Sequence, residues 1–302
     1  MTHTSPATNL PLEIIEVIVV HLIHDIYSLR ACCLTRYSWY IAAVPHLHNS
    51  LITHTGPGDR KFRWPNPLHR MHTLGLLPFV KILWIRGGDC DELGFSPKRF
   101  NCRVLRQSFE STNVQRLMIE HLDIPNFMPR MQGFFGHFLP TVRELALKKP
   151  KGTCRQITHF IGLFRHLDDL ELHGWVDLRG ELADGPIVIP LFPPPLRGRL
   201  AMSHLRGVDL LEDMIVLFRG IRFRRMDLFD VDGTGLLLDA CAETLEELCL
   251  YLTDPHGERL LWKIYGFRPT IPQRGRPFRT LIYHKTSRSE HSRSRCRLLM
   301  LR

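Results

Sequence analysis

The pattern of apolar and polar positions repeats along the chain as a short phrase, apolar-x-x-apolar-x-apolar. Its six clear copies begin at Val80, Val114, Val142, Leu167, Phe223 and Leu245. The last two apolar positions of each copy are two residues apart, which puts them on the same face of a β-strand with one buried face. The first apolar position falls where the chain turns into the strand. A seventh copy at residues 196–202 would fill the long gap before Phe223.

Amphipathic helices are predicted before several of these strands. Thr153 can cap a helix that begins after it, because its hydroxyl can accept a free backbone N–H. Apolar residues then recur at helical spacing, which predicts one buried face per helix. The three groups are Ile157, Phe160, Ile161 and Phe164; Leu211, Ile215 and Phe218; and Leu237, Leu238 and Cys241.

Alternation of helices and strands predicts an α/β fold. Each helix–strand pair is too small to bury its own apolar face, so neighbouring pairs must stack. We therefore expect residues 79–266 to form an irregular leucine-rich-repeat-like solenoid with a parallel strand array. The spacing of the copies is uneven, and the proline-rich segment 190–195 predicts an exposed loop.

A separate helical module is predicted at residues 9–50. Asn9 can cap a first helix, along which apolar residues recur at helical spacing. Ser28 can cap a second short helix, and a third begins near Tyr37. Glycine, proline and charged residues fill the following segment, which predicts a linker at residues 51–78.

The positive charge of the chain is concentrated at its C-terminal end. The whole sequence has a formal net charge of +10. Residues 268–302 contain ten lysines and arginines against one acid, which leaves thirty basic and twenty-nine acidic residues elsewhere. We therefore expect residues 267–302 to be a disordered basic tail. Nucleic acid is an unlikely partner except non-specifically through this tail, because charge alone gives no sequence readout.

Cellular location follows from features that the sequence lacks. No positive segment precedes the first apolar run, and no small-residue cleavage site follows it. The longest apolar stretch, residues 14–23, is about half of the ~20 residues that a membrane-spanning helix needs. We expect a cytoplasmic or nuclear protein without a membrane partner, in which the eight cysteines are free thiols.

The N-terminal module resembles an F-box. The matching segments are Leu10-Pro11-x-Glu13-Ile14-Ile15, then Leu22, then Leu29-x-Ala31-Cys32-x-Leu34, then Ser38-Trp39. The combination of this module with a downstream repeat array is similar to the F-box-like proteins that are abundant in mushroom-forming fungi.

This resemblance implies an adaptor of a Skp1-cullin-type ubiquitin ligase. The helices would dock on a Skp1-type adaptor protein, and the repeats would bind an unknown protein substrate. The implied contact residues are Leu10, Pro11, Ile14, Ile15 and Leu34. The implied core residues of the module are Leu22, Leu29, Cys32 and Trp39. Two alternatives stay open: a repeat scaffold for protein–protein interaction with no ubiquitin link, and a module that only packs on the first repeat.

The strongest candidate for catalysis is the segment Asp230-Val-Asp232-Gly-Thr234. It resembles the first motif of haloacid-dehalogenase-like phosphatases, in which one Asp attacks phosphate, the second handles protons and Mg²⁺ neutralises charge. The alternative is a polar loop in which Asp232 or Thr234 caps the next helix. The cysteines form no Cys-x-x-Cys pair. We therefore expect no catalytic residues, no metal site and no cofactor.

Overall fold

The computed structural model of the chain describes residues 10–54, 67–86, 112–121, 123–125, 140–174, 195–205, 209–253, 259–265 and 282–284. This part is an α/β structure whose strands form one ten-stranded sheet in sequence order. Strands β1–β8 are parallel. Their bounds are β1 Ser50–His54, β2 Ile82–Arg86, β3 Arg116–Glu120, β4 Glu144–Lys148, β5 Asp169–His173, β6 Arg197–Leu205, β7 Arg222–Val231 and β8 Glu247–Thr253.

Seven α-helices lie in the described part of the chain. Three form the N-terminal module: α1 Leu12–His21, α2 Ile26–Thr35 and α3 Tyr37–Leu47. The others are α4 Pro67–Thr73, α5 Cys154–Gly162, α6 Asp209–Leu217 and α7 Thr234–Cys241, and a short 3₁₀ turn covers Leu77–Phe79. Helix α5 contacts α6, and α6 contacts α7, so these three helices pack side by side.

The apolar core lies between one face of the sheet and these helices. Strands β2, β3 and β5 bury every second residue, as the repeated phrase predicts. The first apolar residue of the phrase is also buried, as at Val80, Val114 and Val142. Phe160 of α5 and Phe218, which follows α6, belong to the same continuous core cluster. All seven strand predictions are confirmed, including the one at residues 196–202.

The predicted linker at residues 51–78 needs correction. Residues 50–54 form β1, which pairs with β2 and begins the sheet. Leu51 of this strand is buried in the main core. Helix α4 and the 3₁₀ turn occupy most of the remaining described residues in this range. The strand array therefore starts directly after the helical module.

The other end of the sheet also differs from the prediction. Strand β9, Arg259–Tyr265, runs antiparallel to β8, and β10, Ile282–His284, runs antiparallel to β9. The expectation of parallel strands is therefore wrong for β9. Strand β10 falls within the segment that we expected to be disordered, and the rest of that segment lies outside the described residues.

Three predicted helix caps have different outcomes. Thr153 caps α5 in a reciprocal arrangement: its Oγ1 accepts from Gln156 N, and Gln156 Oε1 accepts from Thr153 N. The cap of α2 is Asp25 instead of Ser28, because Asp25 Oδ1 accepts from the N–H groups of Tyr27 and Ser28. Asn9 lies outside the described residues.

A further cap prediction was Asp232 or Thr234 at α7, but the N-cap residue of this helix is Gly233. Gly233 adopts a left-handed φ of 74° at this position. Thr234 Oγ1 instead donates to Val231 O.

Candidate functional site

The helical module has a small core of its own. Ile15, Val19, Leu29, Cys32, Ala42 and Ala43 form its buried cluster, against which Leu10, Leu22 and Trp39 pack. The structure thus places all four predicted core residues in or against this core. Ile15 needs correction as a predicted partner contact: it is 0% exposed. It faces inward because Ile15 and Val19, four residues apart, share the buried side of α1.

Large apolar side chains remain exposed on all three helices of the module. Ile14 is 48% exposed and Leu34 is 87% exposed. On each helix, several of the exposed apolar residues recur at helical spacing and so form a stripe. We call them the exposed apolar stripes: Ile14 and Val17 on α1, Tyr27 and Leu34 on α2, and Tyr37, Tyr40 and Ile41 on α3. Two of the predicted contact residues, Ile14 and Leu34, lie on these stripes, and Pro11 is exposed at the start of α1.

Exposed apolar groups at this density cost solubility unless another surface covers them. The module cannot bury them itself, because its core is already formed from the opposite sides of the helices. The stripes therefore make the module a candidate protein-docking surface.

The second candidate surface is the face of the sheet that points away from the core. An ion-pair network crosses this face from β3 to β8. Arg116 contacts Glu144 and Glu171 at 3.3 and 3.2 Å. Arg199 contacts Glu171 at 3.8 Å and Asp227 at 2.7 Å. Arg225 joins Asp227 to Glu247 at 3.7 and 3.5 Å.

Strand register explains how this network forms. Arg116, Glu144, Asp169, Arg199, Arg225 and Glu247 occupy one row across the sheet. Ala146 lies between Met118 and Glu171 in the next row, and its small side chain leaves room for Arg116 to reach across β4. Ala146 is buried although it faces away from the core, because the longer side chains cover it. The network was not predicted, although its signal is visible in the sequence: the third position of each phrase is mostly charged.

Aromatic residues flank the ion-pair network at both ends. At the β2 side, the Arg86 guanidinium lies 4.1 Å from the centre of the Trp84 ring, and the Lys148 Nζ lies 5.5 Å from it. At the β7–β8 side, the rings of Phe229 and Tyr251 are 6.0 Å apart. Aromatic residues and arginine are enriched in surfaces that bind proteins. The sheet face is therefore a second candidate protein-binding surface.

A serine, a histidine and a glutamate also meet on this face. Ser203 Oγ lies 2.7 Å from His173 Nδ1, and His173 Nε2 lies 3.7 Å from Glu171. Acyl transfer would need N–H donors aimed at a developing oxyanion. The strand N–H groups around this trio are engaged in the pairing of β5, β6 and β7, and Gly174 N donates to Ser203 O. We therefore interpret the trio as a structural cluster, in which Ser203 and His173 share a hydrogen bond beside Glu171.

The phosphatase-like segment lies at the carboxyl end of β7 and the start of α7. Asp230 adopts a left-handed φ of 50° at the end of β7, and its carboxylate lies 3.5 Å from His204 Nδ1. Asp232 N donates to Leu205 O. Within the ranges that the structure describes, no three His, Cys, Asp or Glu side chains are arranged to hold a metal ion.

The described cysteines, Cys32, Cys33, Cys154, Cys241 and Cys249, are free thiols. Burial raises the pKa of Cys241 to about 11, so this thiol stays neutral and unreactive near neutral pH.

The ion-pair network leads to a pH-dependence prediction. The nearby His173 side chain is the largest cause that lowers the pKa of Glu171, and the guanidinium groups of Arg116 and Arg199 lower it further. A lowered pKa in the folded state means that Glu171 stabilises the fold above its unfolded pKa of about 4.3. This contribution is lost as the pH falls through the folded-state pKa.

We therefore expect Glu171→Gln to lower the free energy of unfolding at pH 7 and to lose less stability on acidification than the unsubstituted chain. Urea unfolding at a series of pH values measures both effects. The control is Glu246→Gln, whose carboxylate makes an exposed pair with Arg224 at 3.9 Å and whose removal should leave the pH profile unchanged. Equal pH profiles for the chain and Glu171→Gln would contradict the prediction.

Comparisons with known proteins give no relative: no family model, no curated protein and no solved structure matches this chain. No helix in the described part is long and apolar enough to cross a membrane. The chain is thus defined by its α/β fold and by its two candidate protein-binding surfaces.

Proposed function

We propose that this chain is an F-box-like adaptor of a Skp1-cullin-type ubiquitin ligase. In this proposal the exposed apolar stripes of α1–α3 dock on a Skp1-type protein, and the exposed sheet face, as the inner surface of a leucine-rich-repeat-like solenoid, binds the protein to be modified. The chain itself would carry out no catalysis and would act in the cytoplasm or the nucleus.

The observation that carries the proposal is the exposure of Ile14 and Leu34. Both residues belong to the segments that resemble an F-box, and both remain outside the core of the module. An apolar helical surface of this kind binds by entering a complementary groove of a partner protein. The ordered strand array that follows directly after α3 supports a division into a docking module and a recruiting surface.

Co-purification tests the proposal. We expect the full chain, co-expressed with a Skp1-type protein, to retain that protein on an affinity column. Ile14→Asp combined with Leu34→Asp should abolish the retention, because both charges would have to be desolvated in an apolar interface. Both positions are exposed, so the double variant should fold.

A matched control uses two exposed apolar residues outside the module, Leu74 and Val216. Leu74→Asp with Val216→Asp should leave the co-purification intact. Retention of the Skp1-type protein by the Ile14→Asp and Leu34→Asp chain would contradict the proposal. So would the absence of retention by the unsubstituted chain, and the protein would then be a scaffold without a ubiquitin link.

A further inference from the structure

The exposed sheet face has an uneven distribution of charge. In and just before the N-terminal parts of β6, β7 and β8 there are five arginines and three carboxylates. The arginines are Arg197, Arg199, Arg222, Arg224 and Arg225, and the carboxylates are Asp227, Glu246 and Glu247. In and just before the N-terminal parts of β3, β4 and β5 there are two arginines and four carboxylates. The arginines are Arg116 and Arg143, and the carboxylates are Glu144, Asp168, Asp169 and Glu171. Among these residues near the strand starts, the charge is therefore positive on the β6–β8 side and negative on the β3–β5 side.

Two arginines at the positive end stand apart from the ion-pair network. Arg197 and Arg222 are paired in register at the beginnings of β6 and β7, and both side chains are exposed. Adjacent parallel strands lie about 4.8 Å apart, so the two arginine side chains leave the backbone at directly neighbouring positions. Arg199, Arg224 and Arg225 each contact a carboxylate. Arg197 and Arg222 make no side-chain hydrogen bond or ion pair with the residues that the structure describes.

The backbone fixes this pair in place. Arg222 N donates to Leu196 O at 2.8 Å, and the strand register shifts at Gly198 and Arg199. Like charges directly opposite each other on a sheet are unfavourable. The carboxylates of Asp227 and Glu247 lie further along the strands and contact Arg199 and Arg225, so they do not relieve this repulsion. A carboxylate from another molecule would relieve it.

We propose that Arg197 and Arg222 form a docking site for an acidic segment of a partner protein. This proposal rests on the sheet face being the recruiting surface of the adaptor, and it gives the chemical class of the segment recruited. Two adjacent guanidinium groups can each donate paired hydrogen bonds to a carboxylate, which makes them well suited to glutamate- or aspartate-rich segments. A nucleic-acid strand fits less well, because the carboxylates of the network would repel its phosphate backbone and this pair offers two positive charges.

Fluorescence anisotropy tests the proposal with a labelled oligoglutamate peptide and the full chain. We expect saturable binding that weakens with added salt and that is at least about tenfold weaker in the Arg197→Gln and Arg222→Gln double variant. The control Arg70→Gln with Arg165→Gln removes the same charge at exposed positions away from this pair and should retain full affinity. A labelled oligoglutamine peptide should not bind.

Three outcomes would overturn the proposal. The first is that the unsubstituted chain does not bind oligoglutamate. The second is that the test and control variants lose peptide affinity equally. The third is that a single-stranded RNA oligonucleotide binds more tightly than the peptide and needs the same two arginines. The adaptor function is tested separately, because Arg197→Gln with Arg222→Gln should still retain the Skp1-type protein. If this double variant loses peptide binding but still retains the Skp1-type protein, the result supports the docking site. If the unsubstituted chain binds the peptide but not the Skp1-type protein, only the adaptor proposal is contradicted.

Discussion

Replacing Gly198 with alanine is expected to lower the free energy of unfolding by about 4 kcal/mol. Gly198 adopts a φ of 84°, which L-residues with a Cβ rarely adopt. A Cβ at this position would lie 2.8 Å from the carbonyl carbon of Asp168 and closer still to its oxygen. That oxygen accepts a hydrogen bond from Arg199 N at 2.8 Å, so the backbone cannot withdraw without breaking the pairing of β5 with β6.

Two other glycines separate the backbone strain of a positive φ from the steric clash of the added Cβ. Gly75 has a φ of 65° but open space around its Cα, so Gly75→Ala should cost about 1 kcal/mol from backbone strain alone. Gly235 lies in α7 with open space and no strained φ, so Gly235→Ala should be neutral or slightly stabilising. Urea unfolding of the three variants measures the series. If Gly198→Ala lowered the free energy of unfolding no more than Gly75→Ala does, the close approach of β5 and β6 would be contradicted.

Phe160→Ala is expected to lower the free energy of unfolding by about 3–5 kcal/mol. The Phe160 side chain is 0% exposed and belongs to the core that joins α5 to the sheet. Its ring lies 5.4 Å from that of Phe164 in an edge-to-face arrangement. The substitution removes this aromatic contact and leaves a cavity that the packed helices α5 and α6 cannot fill without moving.

The matched control for this prediction is Val216→Ala on α6. Val216 is 77% exposed, so the change should alter the free energy of unfolding by less than about 0.5 kcal/mol. Thermal or urea unfolding followed by circular dichroism compares the two variants. Equal stabilities of the Phe160 and Val216 variants would contradict a core formed between the helices and the buried sheet face.

The strands could be predicted because each one repeats the same local pattern. A buried residue at every second position leaves a clear signature, and seven phrases each mark a strand of the sheet. In strand β1, Leu51 is deeply buried and its neighbours Ser50 and Ile52 are exposed. The strand lies next to a glycine- and proline-rich segment, so its pattern was too short to identify. The direction of β9 depends on which strand it pairs with, which a local pattern does not encode.

Side-chain interactions between strands were harder to predict. The charges of Arg116 and Glu171 are visible in the sequence, but their contact depends on register across three strands and on the small Ala146 between them. The role of Ile15 depends on the angle at which α1 packs against α3, which helical spacing alone does not fix. The cap of α2 was misassigned because Asp25 and Ser28 are both common cap residues, and only the geometry selects between them.

The central claim is that the exposed apolar stripes dock on a Skp1-type protein, and calorimetric titration of that purified protein into the purified full chain tests it most directly. We predict saturable one-to-one binding that is lost in the Ile14→Asp and Leu34→Asp double variant and kept in the Leu74→Asp and Val216→Asp control. Absence of binding by the unsubstituted chain, or equal affinity of the unsubstituted chain and the Ile14→Asp and Leu34→Asp variant, would contradict it.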